Sequence, residues 1–393
     1  MNENQVNENG TVIIFGSSVA SLSIIKYIKK YVTRVIVLGH DGEQMGAIVA
    51  DEFKKIDYRD LNTIINATVN EQNIIGCIPS GHDLSYLAYA LYLDYKENKK
   101  FNRVELFEKI HNKSLFRKIL NTISPSRCPQ FIDVNHKGLE MNIIKFPILY
   151  KPNHAGGGRG IIKYCNQEEL NKDLKIESKN PGVYEQFIKG IDYSVSLWFH
   201  ESKLITFYAD REFSNKNSFR INGSITSKKI IDYIENNKIP EELISIISNF
   251  GIKNGFAHCQ IRINEEESWF LIEITLRMPG DCYPEVSEMF CGLNYTEMYV
   301  SSFLPDIVGN LLRNKSSIKI INENAVFGRA CLTQGQNLIK ELAICYEFNS
   351  HFKKNINNYK IVLFKNFNNE NNINLNKIEK IIYTEESNFI KEN

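Results

Sequence analysis

The chain has 393 residues, more than a single hydrophobic core usually supports, so two or three domains with separate cores are expected. Hydrophobic residues make up 43% and charged residues 24% of the chain, a composition that excludes an intrinsically disordered protein. The 47 lysines and arginines nearly cancel the 46 aspartates and glutamates, and the formal net charge of +1 gives no overall field that favours nucleic acid or an anionic membrane. Any anion-binding site must therefore be local.

The eight cysteines are scattered and form neither a CxxC pair nor a zinc-type spacing with histidine, so we expect reduced, mostly buried thiols. The first residues, MNENQVNENG, lack the basic and apolar regions of a signal peptide, and no apolar run is long enough to span a membrane. From these features we expect a cytoplasmic protein that binds neither nucleic acid nor a membrane.

The first hundred residues alternate apolar strands with helices. TVIIFGSSVASLSIIKYIKKY predicts a buried strand, a turn of small residues and a helix; RVIVLGHD predicts a second strand, and NIIGCIPSGHDLSYLAYALYLDYK a strand, a loop and a long helix. This order favours an α/β domain over residues 1–100. The turn from Gly16 to Ser21 lacks the later glycines of a dinucleotide-binding GxGxxG motif, and Ser18 lacks the final glycine of a nucleophile elbow, so both alternatives are disfavoured.

The rest of the chain predicts helices and an antiparallel sheet. Helices are expected over residues 103–124, ending before Pro125, and over 240–250. From residue 146 the strands alternate apolar and polar residues, which favours antiparallel pairing; they are FPILYK, VYEQFI, YSVSLWF, LITFYAD, GFAHCQIRI and SWFLIEITLR. The end of the chain adds two short strands, AVFGRACLT and YKIVLF, and an Asn-rich stretch, NFNNENNINLN, predicted as a surface loop.

A glycine cluster, HAGGGRG, occupies residues 154–160. Glycines let several main-chain N–H groups surround phosphate oxygens, but Gly-Gly also suits a hairpin turn between the flanking strand-like segments FPILYK and GIIKY. The loop lacks the GK[ST] ending of a Walker P-loop, which disfavours that family. Lys151, four residues before the loop proper, could place a charge on the same phosphates or be an exposed lysine at the end of a strand.

A hairpin over residues 255–281 is the second signal. Strand alternation places His258, Gln260 and Arg262 on one face, and Glu273, Thr275 and Arg277 on one face of the next strand. Asn264 could lie opposite Ser268 or Trp269, and the register decides which residues meet. A four-residue loop, 265–268, would put Gln260 opposite Glu273 and His258 opposite Thr275.

Mg²⁺ needs oxygen ligands and usually takes only one or two protein carboxylates. Glu273 lies inside the apolar strand FLIEI, where an unpaired carboxylate is costly, so it is the preferred metal ligand, with Gln260 as a neutral second ligand. Arg277 could stabilise charge beside the metal or form a salt bridge, and His258 could be a core histidine.

The order of these motifs over residues 11–310 resembles the ATP-grasp superfamily of carboxylate–amine ligases. HNKSLFRKIL resembles the family's helix-start lysine motif, which implies that Lys113 contacts ATP phosphates. FPILYKPNHAGGGRG is similar to its strand, lysine and mobile glycine-rich loop, which implies the same task for Lys151, Gly156, Gly157 and Gly158.

VYEQFIKGIDYSVSLWF resembles the family's hinge, which presents backbone groups to adenine; this implies ATP binding at Glu185, Gln186, Phe187 and Ile188. The acid that follows, here Asp192, stands where the family commonly has a glutamate near the ribose.

FLIEITLRMPGD resembles the family's metal strand, which implies Glu273 as metal ligand and Arg277 as the catalytic residue beside the acyl phosphate. Two departures stand out. Gln260 occupies a metal position that is usually acidic, and Thr275 stands where asparagine is common.

The resemblance implies a fold of α/β and α+β class: a Rossmann-like N-terminal domain, a two-lobed ATP-grasp domain and a small C-terminal α+β segment. The expected boundaries are 1–100 for the Rossmann-like domain, 101–145 for a helical linker, 146–190 for the small lobe with the glycine-rich lid, 191–310 for the large lobe with the metal site, and 311–393 for the C-terminal segment.

The implied activity is that of an ADP-forming ligase that uses ATP and Mg²⁺, or Mn²⁺, to join a small acid to an amine; GxxHxQ followed by IEIxxRMPGD is closest to the amino-acid and dipeptide ligase branch. A homodimer is common among such proteins. The helical and loop region 211–239 is expected to border the site, where Arg211, Arg220, His258 and Thr275 could bind substrate. An ATP-binding protein without ligase chemistry, a kinase and a carboxylase remain as alternatives.

Overall fold

The computed structural model describes residues 7–18, 20–40, 45–98, 100, 102–133, 144–174, 181–214, 219, 221–280, 283–313, 326–332, 344–345 and 360–366. None of the helices within these ranges is both long and apolar enough to cross a lipid bilayer.

The N-terminal domain is a four-stranded parallel sheet with helices. Its elements are β1 (Asn7–Phe15), α1 (Ala20–Ile28), β2 (Val32–Gly39), α2 (Met45–Val49), β3 (Glu52–Lys55), α3 (Leu61–Thr68), β4 (Ile74–Pro79) and α4 (Asp83–Lys96). The strand order is β3-β2-β1-β4, and β1 runs parallel to both of its neighbours. The central strand is an unbroken apolar run because it is covered on both faces; Val12, Ile13, Ile14 and Phe15 are all fully buried. The Rossmann-like architecture predicted for the N-terminal domain is confirmed.

Two helices, α5 (Arg103–His111) and α6 (Lys113–Ile123), follow. The single helix predicted over residues 103–124 is therefore wrong at Asn112. The backbone of Asn112 is extended (φ −75°, ψ 106°), and its side-chain oxygen accepts the Leu115 N–H at 3.1 Å, so it caps a new helix. This break places Lys113 at the first position of α6.

The next unit is a small antiparallel sheet. Its elements are β5 (Phe131–Asp133), β6 (Ile148–Pro152), β7 (Ile162–Tyr164), α7 (Gln167–Leu174) and β8 (Gly182–Gln186). The strand order is β5-β8-β6-β7, and its small core is built around Ile148, Tyr150 and Tyr184. The antiparallel pairing predicted from the alternation is confirmed in this sheet.

The largest unit is an eight-stranded sheet covered by helices. Its elements are β9 (Gly190–His200), β10 (Lys203–Ser214), β11 (Ile221–Thr226), α8 (Lys228–Asn236), α9 (Ile239–Asn249), β12 (Gly255–Asn264), β13 (Trp269–Thr275), α10 (Tyr283–Cys291), α11 (Tyr295–Phe303), α12 (Pro305–Val308), β14 (Val326–Leu332), β15 (Ile344–Cys345) and β16 (Lys360–Asn366). The strand order is β13-β12-β9-β10-β11-β14-β16-β15.

The elements of this sheet can be compared with three sequence predictions. The helix predicted over residues 240–250 is α9. The region 211–239, expected as helix and loop, instead contains the end of β10, all of β11 and the helix α8, because β10 continues to pair with β9 and β11 beyond Asp210. The C-terminal strands pair with β11 and so extend the large sheet. The Asn-rich stretch lies outside the described residues, apart from Asn366.

A buried charge cluster connects the units. Glu185 on β8 accepts from Arg117 Nε on α6 at 2.8 Å and forms a salt bridge with Lys151 Nζ on β6. Arg117 also donates to the main-chain oxygens of Leu271 (3.2 Å) and Ile272 (3.0 Å) on β13. Burial alone would raise the pKa of Glu185, but Arg117 and Lys151 hold it at about 2, so the carboxylate stays charged. Burial lowers the pKa of Lys151.

Replacing Glu185 should be strongly destabilising, because Glu185→Gln leaves two buried cations without their counter-charge. We expect the free energy of unfolding to fall by about 3–5 kcal/mol, measured by urea denaturation. The matched control is Glu242→Gln, which breaks a more exposed pair with Arg127 (2.7 Å; side chains 35% and 24% exposed) and should cost less than about 1 kcal/mol. Equally small losses in both variants would contradict a structural role for the cluster.

Acid should weaken the same cluster. The pKa of Glu185 in the folded protein, about 2, lies below its ordinary value of 4.5, so its contribution is complete above that ordinary value and is lost as the pH falls towards 2. Over this interval the free energy of unfolding of the unmodified chain should decrease more steeply than that of Glu185→Gln, in urea titrations at several pH values. Parallel pH profiles would contradict the assignment.

Candidate functional site

One cavity of about 350 Å³ lies where α6, the small sheet and the large sheet meet. Most of the predicted site residues line it: Lys113, Lys151, Gly157, Gly158, Glu185, Gln186, Ile188, Asp192, His258, Gln260, Glu273, Thr275 and Arg277. Gly156, Phe187 and Arg211 are not among its lining residues, and Arg220 lies outside the described residues. Motifs that are far apart in the sequence therefore share one cavity.

The glycine loop joins β6 to β7 and forms one wall of this cavity. The two strands pair antiparallel, with Tyr150 opposite Ile162, so the loop is both a hairpin connection and a cavity wall. Gly157 and Gly158 have φ angles of +63° and +75°, which favour glycine. A Cβ atom on Gly157 would meet nothing within 4 Å, so the main chain is open to a ligand there.

The start of α6 is fastened to the small sheet beneath this loop. Ser114 Oγ donates to Asn153 Oδ1 at 2.8 Å and lies 3.0 Å from the Gly182 carbonyl oxygen. Lys113 Nζ donates to the carbonyl oxygen of Ala155 in the loop at 2.6 Å. Lys113 and Lys151 therefore bring two ammonium groups to the part of the cavity that the loop covers.

The hinge segment follows β8. The Gln186 and Phe187 N–H groups donate to main-chain oxygens of Gln130 (2.8 Å) and Pro147 (3.0 Å). Gln186 and Ile188 line the cavity. The Phe187 ring instead lies beneath cations, with Lys163 Nζ 4.0 Å from its centroid.

Asp192, predicted near the ribose, is engaged by Arg262. The guanidinium donates to both carboxylate oxygens, at 2.6 and 2.7 Å, and to the Ile188 carbonyl oxygen at 3.1 Å. A ligand hydroxyl would therefore meet Asp192 as one end of a fixed ion pair and not as an isolated carboxylate.

The hairpin of β12 and β13 has the predicted pairing. Gln260 lies opposite Glu273, and His258 lies opposite Thr275. Of the two partners expected for Asn264, Ser268 or Trp269, the structure shows Ser268: the Asn264 N–H donates to the Ser268 carbonyl oxygen at 2.9 Å. The loop is therefore one residue shorter than the four-residue loop from which these pairs were predicted. An extra residue in β13, Ile272, shifts the register between Gln260 and Ile261 and restores the predicted pairs.

The residues present fit a magnesium ion that is also held by phosphate. No group of three or more histidine, cysteine, aspartate or glutamate side chains with metal-site geometry occurs among the described residues, which disfavours an all-protein metal cage there. Mg²⁺ in nucleotide sites takes one or two protein oxygens and phosphate. Gln260 Nε2 donates to Glu212 Oε2 at 2.8 Å, so the amide oxygen of Gln260 is the atom left to join the Glu273 carboxylate around a cation.

His258 is buried beside this pair. Its Nδ1 lies 2.9 Å from Ser196 Oγ, and Thr275 Oγ1 donates to its carbonyl oxygen at 3.4 Å. Burial, together with the charges of Arg277 and Arg329, lowers the pKa of His258 to about 3, so the ring is neutral. A neutral histidine that is hydrogen-bonded to the sheet can shape the cavity wall but brings no charge to it.

Arg277 is held by the N-terminal domain. Its Nε donates to Asp83 Oδ1, at the start of α4, at 2.7 Å. A Cβ atom on Gly156 would lie 2.8 Å from Asp83 Oδ2, so the glycine loop packs against the same aspartate. Although burial opposes ionisation, the nearby Arg277 lowers the pKa of Asp83. Asp83 therefore connects the loop, Arg277 and the first domain.

Five further charged residues of the site were missed by sequence reasoning: Arg117, Glu212, Arg262 and Arg329, which line the cavity, and Asp83, which holds Arg277. Alternation could have suggested Glu212, because it lies one position from Arg211, which the same alternation places on the other face of β10. There the Arg211 guanidinium lies 5.5 Å from the centre of the Phe213 ring.

Residues 144–285 match the model of a protein family described as the ATP-grasp domain. The chain contains an ATP-grasp domain. The predicted resemblance to the ATP-grasp superfamily is thereby confirmed. The matched segment includes Lys151, the glycine loop, the hinge and the β12–β13 hairpin, whereas Lys113 and Asp83 precede it.

Solved structures share this fold over nearly the whole chain. N5-carboxyaminoimidazole synthetase from Staphylococcus aureus, complexed with ADP, has a TM-score of 0.72 at 15% identity, covering 96% of this chain and 98% of its own. L-amino acid ligase from Bacillus licheniformis has a TM-score of 0.70 at 15% identity, with the same coverage of 96% and 98%.

The biotin carboxylase domain of Hydrogenobacter thermophilus 2-oxoglutarate carboxylase, a dimer in complex with MgADP, ADP and bicarbonate, has a TM-score of 0.60 at 14% identity over 82% of this chain and 74% of that one. No curated protein sequence matches the chain. At these identities the likeness establishes the fold of this chain, and the substrates have to be argued from its own residues.

Removing the contact of Asp83 in the N-terminal domain with Arg277 in the ATP-grasp domain should lower the stability of the fold. Asp83→Asn takes the counter-charge from Arg277, and we expect the free energy of unfolding to fall by about 1–3 kcal/mol, measured by urea denaturation. The control is Asp232→Asn, which breaks the exposed pair of Lys228 and Asp232 within α8 (2.6 Å) and should cost less than about 0.5 kcal/mol. Equal losses in the free energy of unfolding in the two variants would contradict a stabilising role for the contact between Asp83 and Arg277.

Proposed function

We propose that this chain is an ATP- and Mg²⁺-dependent, ADP-forming ligase. It activates a small carboxylic acid, such as an amino acid, as an acyl phosphate and joins it to an amine, so that an amide or peptide bond is formed. The observation that carries this proposal is the single cavity shared by Lys113, the glycine loop, the Glu273 hairpin and Arg277.

ATP is proposed to lie with its adenine along the hinge, residues 186–188, and its phosphates under the glycine loop. Lys113 and Lys151 supply positive charge there, and main-chain N–H groups of the loop supply hydrogen bonds. These ammonium groups bond to the Ala155 carbonyl oxygen and to Glu185, and these contacts position both groups within the cavity. Closure of the loop excludes water from the reactive acyl phosphate.

Glu273 and the Gln260 amide oxygen are the proposed protein ligands of the metal. Mg²⁺, when bound, neutralises phosphate charge and thereby reduces its repulsion of the attacking carboxylate. Mn²⁺, with similar oxygen preferences, is the expected substitute.

The proposed reaction has two steps. A carboxylate oxygen of the acid attacks the γ-phosphorus, the bond to the β-phosphate oxygen breaks, and ADP leaves. The neutral amine then attacks the acyl carbon, the C–O bond to phosphate breaks, and inorganic phosphate leaves while the nitrogen loses a proton to solvent. Arg277, fixed by Asp83, faces the acyl group and stabilises the oxyanion formed in the second step.

Acid-dependent ADP release tests the function. With ATP, Mg²⁺ and a panel of amino acids and other small acids, each with an amine, we expect ADP release only when an accepted acid is present. Hydroxylamine should trap the activated acid as a hydroxamate. Glu273→Ala should lower kcat/KM by about 10²–10³-fold, because metal-held charge contributes several kcal/mol. Glu288→Gln, at an exposed position of α10, is the charge control and should be active.

Different outcomes identify the alternatives. Tight ATP binding without acid-dependent turnover would favour an ATP-binding protein without ligase chemistry. The neutral Gln260, at a metal position that is usually acidic, is the feature that favours this alternative. ADP release without hydroxamate formation would favour a kinase, and bicarbonate-dependent turnover a carboxylase. Full turnover by Glu273→Ala would overturn the metal assignment. A homodimer also remains a proposal, and light scattering after size-exclusion chromatography tests it.

A further inference from the structure

The wall formed by β10, β11 and β14 carries buried charged side chains of both signs. Glu212 on β10 pairs with Ser224 on β11, and Ser224 pairs with Arg329 on β14, so the three side chains share one face of the sheet. Glu212 and Arg329 are 6% and 3% exposed, and both line the cavity. Two strand spacings, roughly 10 Å, separate their Cα atoms.

Glu212 has a neutral partner. Its Oε2 accepts from Gln260 Nε2 at 2.8 Å, and within the described ranges no lysine or arginine forms a salt bridge with it. Arg329 Nε donates to Ser224 Oγ at 3.1 Å, and Ser224 donates to Asp210 at 2.5 Å, so another acid shares this cation.

A carboxylate buried beside a neutral amide is costly unless a cation reaches it. A metal ion is the weaker candidate for that cation, because the hydrogen bond turns the nitrogen of Gln260 towards Glu212 and its oxygen away. The metal position proposed beside Glu273 therefore lies on the opposite side of the Gln260 amide. A ligand cation that donates hydrogen bonds, such as an ammonium group, fits Glu212 better.

The distance to the reacting carboxylate limits the ligand further. Gln260 lies directly opposite Glu273 and contacts Glu212, so one amide group separates the two acidic side chains along this wall. A carboxylate activated beside Glu273 and a cation bound by Glu212 would lie about one side chain apart, close enough for both charges to belong to one small molecule. An amino acid carries such a pair of charges, whereas a simple acid would bring a second negative charge towards Glu212.

We propose that the acid activated by this chain is an amino acid and that Glu212 binds its ammonium group. This rests on the proposed ligase function and gives its substrate class.

Equilibrium binding tests the proposal without depending on turnover. Isothermal titration calorimetry with the full chain, ADP and Mg²⁺ would compare each standard amino acid with its deaminated acid, for example alanine with propionate and phenylalanine with 3-phenylpropionate. The unmodified chain should bind at least one amino acid at least about tenfold more tightly than its deaminated partner. Glu212→Gln should weaken that amino acid by roughly 10- to 100-fold and leave the deaminated acid no weaker. Glu288→Gln is the matched control and should retain the discrimination.

Two further readouts separate the alternatives. Unchanged ADP affinity and thermal unfolding in Glu212→Gln would show that the variant is folded. Electron paramagnetic resonance of Mn²⁺ with ADP should show unchanged metal affinity. Loss of Mn²⁺ binding with retained amino-acid discrimination would overturn the proposal in favour of a metal ligand, and Glu212-dependent binding of simple amines alone would overturn it in favour of an acceptor site.

Failure of this proposal is distinguishable from failure of the ligase function. Acid-dependent ADP release that is as fast with propionate as with alanine, or binding of no amino acid, would overturn the substrate class alone. Absence of ADP release with every acid, while Glu212-dependent amino-acid binding persists, would overturn the ligase chemistry and leave the ammonium site standing.

Discussion

The buried contact of Glu185 with Lys151 and Arg117 is the constraint on which the rest of the site depends. It joins β8, β6 and α6, and through Arg117 it also reaches the main chain of β13. The cluster holds two cations and one anion in a region that water barely enters. Its unbalanced positive charge lies in the cavity beside Lys113, where an anionic ligand would complete the balance. The interaction that positions the lobes thus also places positive charge at one end of the cavity, where the ATP phosphates are proposed to lie.

The large sheet brings carboxylates to the same cavity. Glu273 and Glu212 face the cavity from the large sheet, with the Gln260 amide between them. The Gln260 amide can serve two partners at this position. Its nitrogen donates to the Glu212 carboxylate, and its oxygen is left for a cation. Gln260, which departs from the acid usual in the family, is therefore accompanied by a carboxylate close by. Glu212, from another strand, supplies a carboxylate next to the position where the family usually has an acid.

The N-terminal domain is part of this arrangement. Asp83 contacts Arg277 across 194 residues of sequence and also lies against Gly156 of the loop. The glycine loop belongs to the small sheet but packs on the N-terminal domain, so its position depends on both units. This geometry makes the position of Arg277 depend on the docking of two domains, which local sequence patterns cannot encode.

Local chemistry allowed the sequence by itself to determine much of this protein. Apolar runs and alternation predicted the strands, the glycines marked the loop, and the pairing of Gln260 with Glu273 followed from side-chain period. Even there, the pairing rests on a shorter loop compensated by the extra residue Ile272, whose carbonyl oxygen Arg117 binds. Asn112 divided a predicted helix because capping competes with helix continuation.

Only the tertiary structure decided that the Glu185 side chain, and not just its backbone, holds the site together. It also decided that Asp192 is paired with Arg262, and that Glu212 and Arg329 face the cavity while Arg211 does not. These facts depend on which strands become neighbours and which side of the sheet is covered. The residues that meet are far apart in the sequence, so their charges acquire partners only when the sheets assemble.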